Sequence, residues 1–112
     1  MKVIRIHSKA RDEIRSFSRL VRREIGELLL KLQYGVMLGL PHARAMPSVE
    51  NGVYELRVRD GQGIYRVFYL LKSESGIFVF HAFTKKTQTT PRAEIELGRK
   101  RLLEMLKDEK KK

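Results

Sequence analysis

The sequence has no cysteine, only three histidines and three prolines, and few acidic residues for its length. Without thiols there is no disulfide scaffold, no zinc–thiolate cluster and no cysteine nucleophile. His7, His42 and His81 are scattered and show no metal-ligand spacing. No apolar run approaches the roughly 20 residues that span a bilayer, and no signal peptide opens the chain, so a cytoplasmic protein without a membrane partner is expected. Converging carboxylates of the kind that hold two catalytic metal ions are missing too, because the acids fall mostly on helical segments among basic neighbours. The expected metal and cofactor content is therefore none.

What the chain does have is positive charge: 24 Lys and Arg against 13 Asp and Glu, a formal net charge of +11 over 112 residues. Such an excess suits a polyanionic partner, nucleic acid first, although a charged surface that serves only solubility has the same composition. A hydrophobic fraction of 42% is enough for a folded core and argues against disorder. The length predicts one domain, residues 1–108, followed by a basic tail at 109–112.

Residues 2–7 are short, β-branched and partly alternating, which predicts a strand. Apolar residues then recur at Ala10, Ile14, Phe17, Val21, Ile25, Leu28 and Leu32, the spacing of one buried helical stripe. Ser8 is placed to cap the first helix and Ser18 a second, so a short helix breaking into a longer one is expected. Gly26, costly by about 1 kcal/mol relative to Ala inside a helix, reads as a point of close packing. From 34 to 52 the pattern dissolves among glycines and prolines into an irregular connection, long for a compact domain, that is either a functional loop or partly structured. Strands follow at 53–59, 64–71 and 77–84, joined by glycine-bearing hairpin turns. Thr90-Pro91 reads as a cap with proline at the first helical position, opening a terminal helix. The sum is an α+β domain in the order β-α-α-β-β-β-α, one mainly antiparallel sheet with its helices on one side.

With one face covered by helices, the other collects cations: Arg57 and Arg59 from one strand, Arg66 from the next, and Lys85 and Lys86 from the end of the third. Guanidinium forks and lysine point charges suit a phosphate chain, and aromatics suit unstacked bases. Each residue has a plainer reading. Arg57 and Arg59 fit a solvated face balanced by Glu55, Arg66 a structural ion pair, and Tyr65 and Phe83 the core. His81, the one strand histidine among these cations, fits proton transfer or a structural role about equally. Phosphodiester cleavage without metal selects RNA, whose 2′-hydroxyl can attack the adjacent phosphate once a base takes its proton. A lysine crowded by other cations loses preference for its charged form and becomes a candidate base.

Three segments carry a family resemblance: Asn51-Gly52-Val53-Tyr54-Glu55-Leu56-Arg57, Tyr65-Arg66-Val67-Phe68-Tyr69, and His81-Ala82-Phe83-Thr84-Lys85-Lys86-Thr87 ahead of Thr90-Pro91. In order and spacing they resemble the HigB-like, phage Gp49-like branch of the RelE/ParE toxin superfamily, over about residues 3–106. The resemblance implies a RelE-like fold and a type II toxin–antitoxin toxin, an endoribonuclease (mRNA interferase) that cuts mRNA on the ribosome. It implies a cognate antitoxin with a helix-turn-helix domain as partner, and binding to operator DNA through that complex. Arg57 and Arg66 would then hold the scissile phosphate, with Lys85, Lys86 and His81 as further catalytic candidates. Arg59, Tyr65, Phe83 and Thr87 would contact RNA, as would Arg44, which stands where many relatives place a lysine near the substrate. The alternatives are a ParE-like gyrase inhibitor and a non-catalytic basic nucleic-acid-binding module.

Overall fold

The computed structural model describes residues 1–72, 76–85 and 89–110. The elements run β1 (Val3–Ile6), α1 (Ser8–Arg15), α2 (Arg19–Gln33), β2 (Ala43–Ala45), β3 (Val53–Asp60), β4 (Gly63–Lys72), β5 (Gly76–Lys85) and α3 (Arg92–Lys110). The sheet order is β1-β5-β4-β3-β2, with β1 parallel to β5 and every other pairing antiparallel. The α+β class and the helix–helix–hairpins–helix order hold.

The break between α1 and α2 falls at the expected serines. Ser18 caps α2 by accepting the Val21 N–H on its hydroxyl, and satisfies one of the donors left over in a first helical turn. At α1 the cap is His7 rather than Ser8, because the His7 ring accepts the Lys9 N–H and Ser8 is already helical. Val21, Ile25, Leu28 and Leu32 are buried as the spacing predicts, against Leu56, Val58, Val67 and Tyr69 of the sheet. The expected irregular loop contains β2, whose three residues pair with Tyr54–Leu56 of β3, too short a run to announce itself by alternation. The first hairpin closes on Asp60 paired with Gly63, whose turn is held by the Asp60 carboxylate accepting the N–H groups of Gln62 and Gly63. The second turn, 73–75, lies outside the described residues.

One expectation is overturned: the helices do not share a side. α1 and α2 cover the face that carries Leu56, Val58, Tyr65 and Val67, whereas α3 lies on the opposite face. There Leu102 and Ile95 pack with Val53, Phe68, Leu70, Phe78 and Phe80. β4 and β5 carry apolar residues on both faces for this reason, with Arg66, His81 and Lys85 as buried exceptions. β1 spans only 76–79 of β5, and beyond it α1 takes over the open edge: Glu13 accepts the Ala82 N–H.

α3 approaches the sheet closely through Gly98, where a Cβ would lie 2.8 Å from a ring carbon of the fully buried Phe68. Gly26, by contrast, is exposed, and a Cβ there would meet nothing within 4 Å, so it marks no close packing. Two mid-helix glycines should therefore respond oppositely to alanine. Gly26→Ala is expected to stabilise by up to about 1 kcal/mol, and Gly98→Ala to destabilise, since overpacking of about 1–3 kcal/mol exceeds the helix-propensity gain. Urea denaturation of both variants checks this, and equal stabilisation by both would refute the close approach.

Candidate functional site

The antiparallel register sets Arg57 directly opposite Arg66, and Arg66 opposite Phe83; Ile64 in turn faces both Arg59 and Lys85. Side chains alternate along each strand, so Arg57, Arg59, Arg66, Phe83 and Lys85 share the α3 face. Arg44 joins them from β2, opposite Glu55. α3 covers only the half of this face around Phe68, Phe78 and Phe80. The remaining half is a cationic surface with Arg66 and Lys85 buried at its floor and Arg44, Arg57 and Arg59 nearer solvent.

Like charges placed opposite one another repel, and the offset is Glu55. Its carboxylate is completely buried, with Arg66 Nε at 3.3 Å and Arg44 Nη2 at 3.5 Å from Oε1. Its other oxygen accepts the Thr90 hydroxyl at 2.8 Å. α3 begins at Arg92, one residue later than expected, so Pro91 precedes the helix and its carbonyl accepts the N–H groups of Glu94 and Ile95. The Thr90–Glu55 bond ties the start of α3 to the floor of the cationic surface.

Burial, more than the field of Arg57, Arg44 and Arg59, lowers the pKa of Arg66, against the opposing pull of Glu55. Lys85 is lowered as well, first by burial and then by Arg66, Arg44 and Arg57. An amine in this setting gives up its proton more readily than a solvated lysine.

His81 sits on the same face but beneath α3, 1% exposed, and both ring nitrogens are engaged. Arg101 donates to Nδ1 at 2.8 Å, and since a guanidinium only donates, the ring proton lies on Nε2, which faces Glu94 at 2.7 Å. Arg101 also donates to Glu13 at 2.7 Å, so the network clips α1, β5 and α3 together. Desolvation is the main cause that lowers the His81 pKa, only partly countered by Glu94 and Glu13. Among the candidates, then, the structure brings Arg44, Arg57, Arg59, Arg66, Phe83 and Lys85 together. It sets His81 apart in a structural network and puts Tyr65 on the opposite face against Phe17, ring centroids 4.9 Å apart. Phe83 is 7% exposed and packs edge-on to Phe68 within the core under α3. Lys86 and Thr87 lie outside the described residues. Sequence reasoning treated Glu55 only as a balancing charge and missed Thr90 as its partner; Glu55 on the cationic side of an alternating strand was the available signal. Among the described residues, no three His, Asp or Glu side chains are grouped to hold a metal ion.

The model of the phage-derived Gp49-like protein family matches residues 12–103. The chain belongs to the Gp49-like family. Two solved structures of the E. coli RelE toxin resemble this Gp49-like chain in fold. The isolated toxin shares 20% identity at a TM-score of 0.58, over 79% of this chain and 89% of that one. A doubly substituted RelE in the free state shares 18% at a TM-score of 0.59, over 94% and 97%. The comparison with curated proteins finds no match. A Gp49-like chain with a RelE-like architecture is what the order of its strand motifs implied.

Removing Glu55 strands a buried guanidinium. Glu55→Ala should cost about 3–5 kcal/mol in chemical denaturation, the range for breaking a buried pair from one side. A change within about 0.5 kcal/mol would show that Arg66 does not depend on it. The His81 network gives a pH signature. A histidine whose folded pKa lies below 6.5 binds its proton more readily once unfolded, so the stability it supports is present above that value. It is lost as the pH falls below 6.5 toward the folded pKa. Stability measured from pH 8 to 5 should show this decline, and His81→Gln should flatten it; an identical pH profile in the variant would count against the assignment.

Proposed function

We propose that this Gp49-like protein is the toxin of a type II toxin–antitoxin pair and cleaves mRNA on the ribosome. The observation that carries the reading is the convergence of Arg57, Arg66 and Lys85 on one half-open sheet face, with the Lys85 amine depressed in pKa by burial and by its cationic neighbours. The Gp49-like family membership and the RelE-like fold support it.

In this mechanism the RNA phosphate lies over Arg57 and Arg66, which neutralise the charge that grows on its non-bridging oxygens. Lys85, in its neutral form, accepts the proton of the 2′-hydroxyl. The 2′-oxygen forms a bond to phosphorus as the bond to the 5′-oxygen breaks, and solvent water protonates the departing oxygen, giving a 2′,3′-cyclic phosphate and a 5′-hydroxyl. Arg44 and Arg59 hold the flanking backbone, and Phe83 backs the site as part of its wall. His81 acts as a positioning residue for α3, because both its nitrogens are occupied. DNA lacks the attacking hydroxyl and is not a substrate. The partner is a cognate antitoxin with a helix-turn-helix domain, and operator DNA is reached through that complex.

Toeprinting with 5′-end mapping on programmed ribosomes tests this. Wild type should cut in the A site and leave a 5′-hydroxyl, and Arg57→Ala should cut about 100- to 1000-fold more slowly. The wild-type rate should climb with pH until Lys85 is neutral and then level off, whereas Lys85→Arg should abolish cutting at every pH. Intact mRNA with folded wild type would sink the reading.

A further inference from the structure

Continuous with the cationic face, and sharing Arg57, Arg59 and Arg66 with it, the sheet edge holds a notch. β2 pairs only with Tyr54–Leu56 of β3, and the Arg57 N–H reaches the His42 carbonyl at 2.8 Å. Past that point β3 runs on to Asp60 with no strand on this side among the described residues. Main-chain groups alternate along a strand, so those of Arg59 leave by the same edge as those of Arg57. A cavity of about 490 Å³ opens here. Leu40, Pro41 and Val58 supply apolar walls, Arg57, Arg59 and Arg66 line it from the sheet, His42 from the loop, and Glu24 reaches it from α2.

The arginines at one end of the notch belong to the phosphate face; at the other end the Glu24 carboxylate repels a phosphate, and a phosphate gains nothing from the apolar walls of Leu40 and Pro41. Flat apolar surfaces beside a few polar groups suit a nucleobase, and Glu24 decides which. Guanine alone among the four bases sets two donors, N1–H and N2–H, side by side to match the two oxygens of a carboxylate. Its O6 then faces a guanidinium or a strand N–H. Adenine and cytosine place an acceptor beside the amino group, and uracil has one N–H between two acceptors, so each would turn a lone pair toward Glu24.

We propose that the notch between Glu24, the loop at 40–42 and the open edge of β3 is a guanine-binding subsite, seating the base of a nucleotide whose phosphate lies on the cationic face. It rests on the RNA reading of that face and extends it to the sequence held there.

Titrating the ¹⁵N-labelled protein with 5′-GMP, 5′-AMP, 5′-CMP and 5′-UMP tests the subsite without any cleavage step. GMP is expected to bind roughly 5- to 150-fold more tightly than the others, the discrimination of one bidentate base contact, and to shift the amides at 40, 42 and 57–60. Glu24→Gln and Glu24→Ala, half-exposed substitutions whose spectra also report folding, should remove most of that preference. Equal affinity for the four nucleotides, or a GMP preference that survives both substitutions in folded protein, overturns the proposal. The nuclease reading fails separately: mRNA left intact by wild type, together with a GMP preference lost in Glu24→Ala, would refute cleavage and uphold the subsite.

Discussion

A buried carboxylate between cations is the constraint from which the rest of this molecule follows. Glu55 lies in the middle of a strand, wholly out of water, and holds Arg66 and Arg44 by charge and Thr90 by a hydrogen bond. A lone carboxylate there would be strongly disfavoured, and so would a lone Arg66. Together they allow an arginine to lie on the sheet opposite another arginine. The Thr90 bond extends the same constraint to the entry of α3. The position of the terminal helix and that of the cationic floor are consequently one problem, solved by one side chain.

The division of the α3 face follows. Where aromatic side chains dominate, α3 covers the sheet closely enough that only glycine fits at position 98. Where arginines dominate, the sheet stays partly open. His81 and Arg101 mark the boundary, using Glu13 and Glu94 to bind helices from both faces to the last strand. Charge therefore plays two roles here. On one side of the boundary it is paired and structural; on the other, cations outnumber acids, and the excess remains available to an anion.

That excess also bears on the proton-transfer role proposed for Lys85. Burial and three neighbouring guanidinium groups act in the same direction on its amine, and Glu55 offsets them only in part. The arrangement that would attract a phosphate is thus the one that lowers the pKa of the lysine beside it.

Much of this was legible along the chain. The spacing from Ala10 to Leu32, the serine between the helices and the glycine-marked turn after Asp60 are local signals, because hydrogen bonds and side-chain periodicity within a few residues produce them. The ordered strand motifs pointed to the family. β2 escaped notice because three residues carry no period, and Gly26 misled because a glycine's neighbours across a helix face are not written beside it. Thr90, read as the cap, stands two residues before the first helical residue, Arg92, and its hydroxyl donates to Glu55, 35 positions away in the chain. Alternation placed Arg57 and Arg59 on one face of their strand, but only packing decided which face α3 takes. It decided as well that Tyr65 goes to the far side and that His81 is enclosed. Sequence by itself determined every element but β2, the charge and the kinship, since these depend on near neighbours and residue types. Tertiary structure alone decided which cations stay open to a partner, because burial and pairing depend on residues that meet only when the sheet and α3 close together.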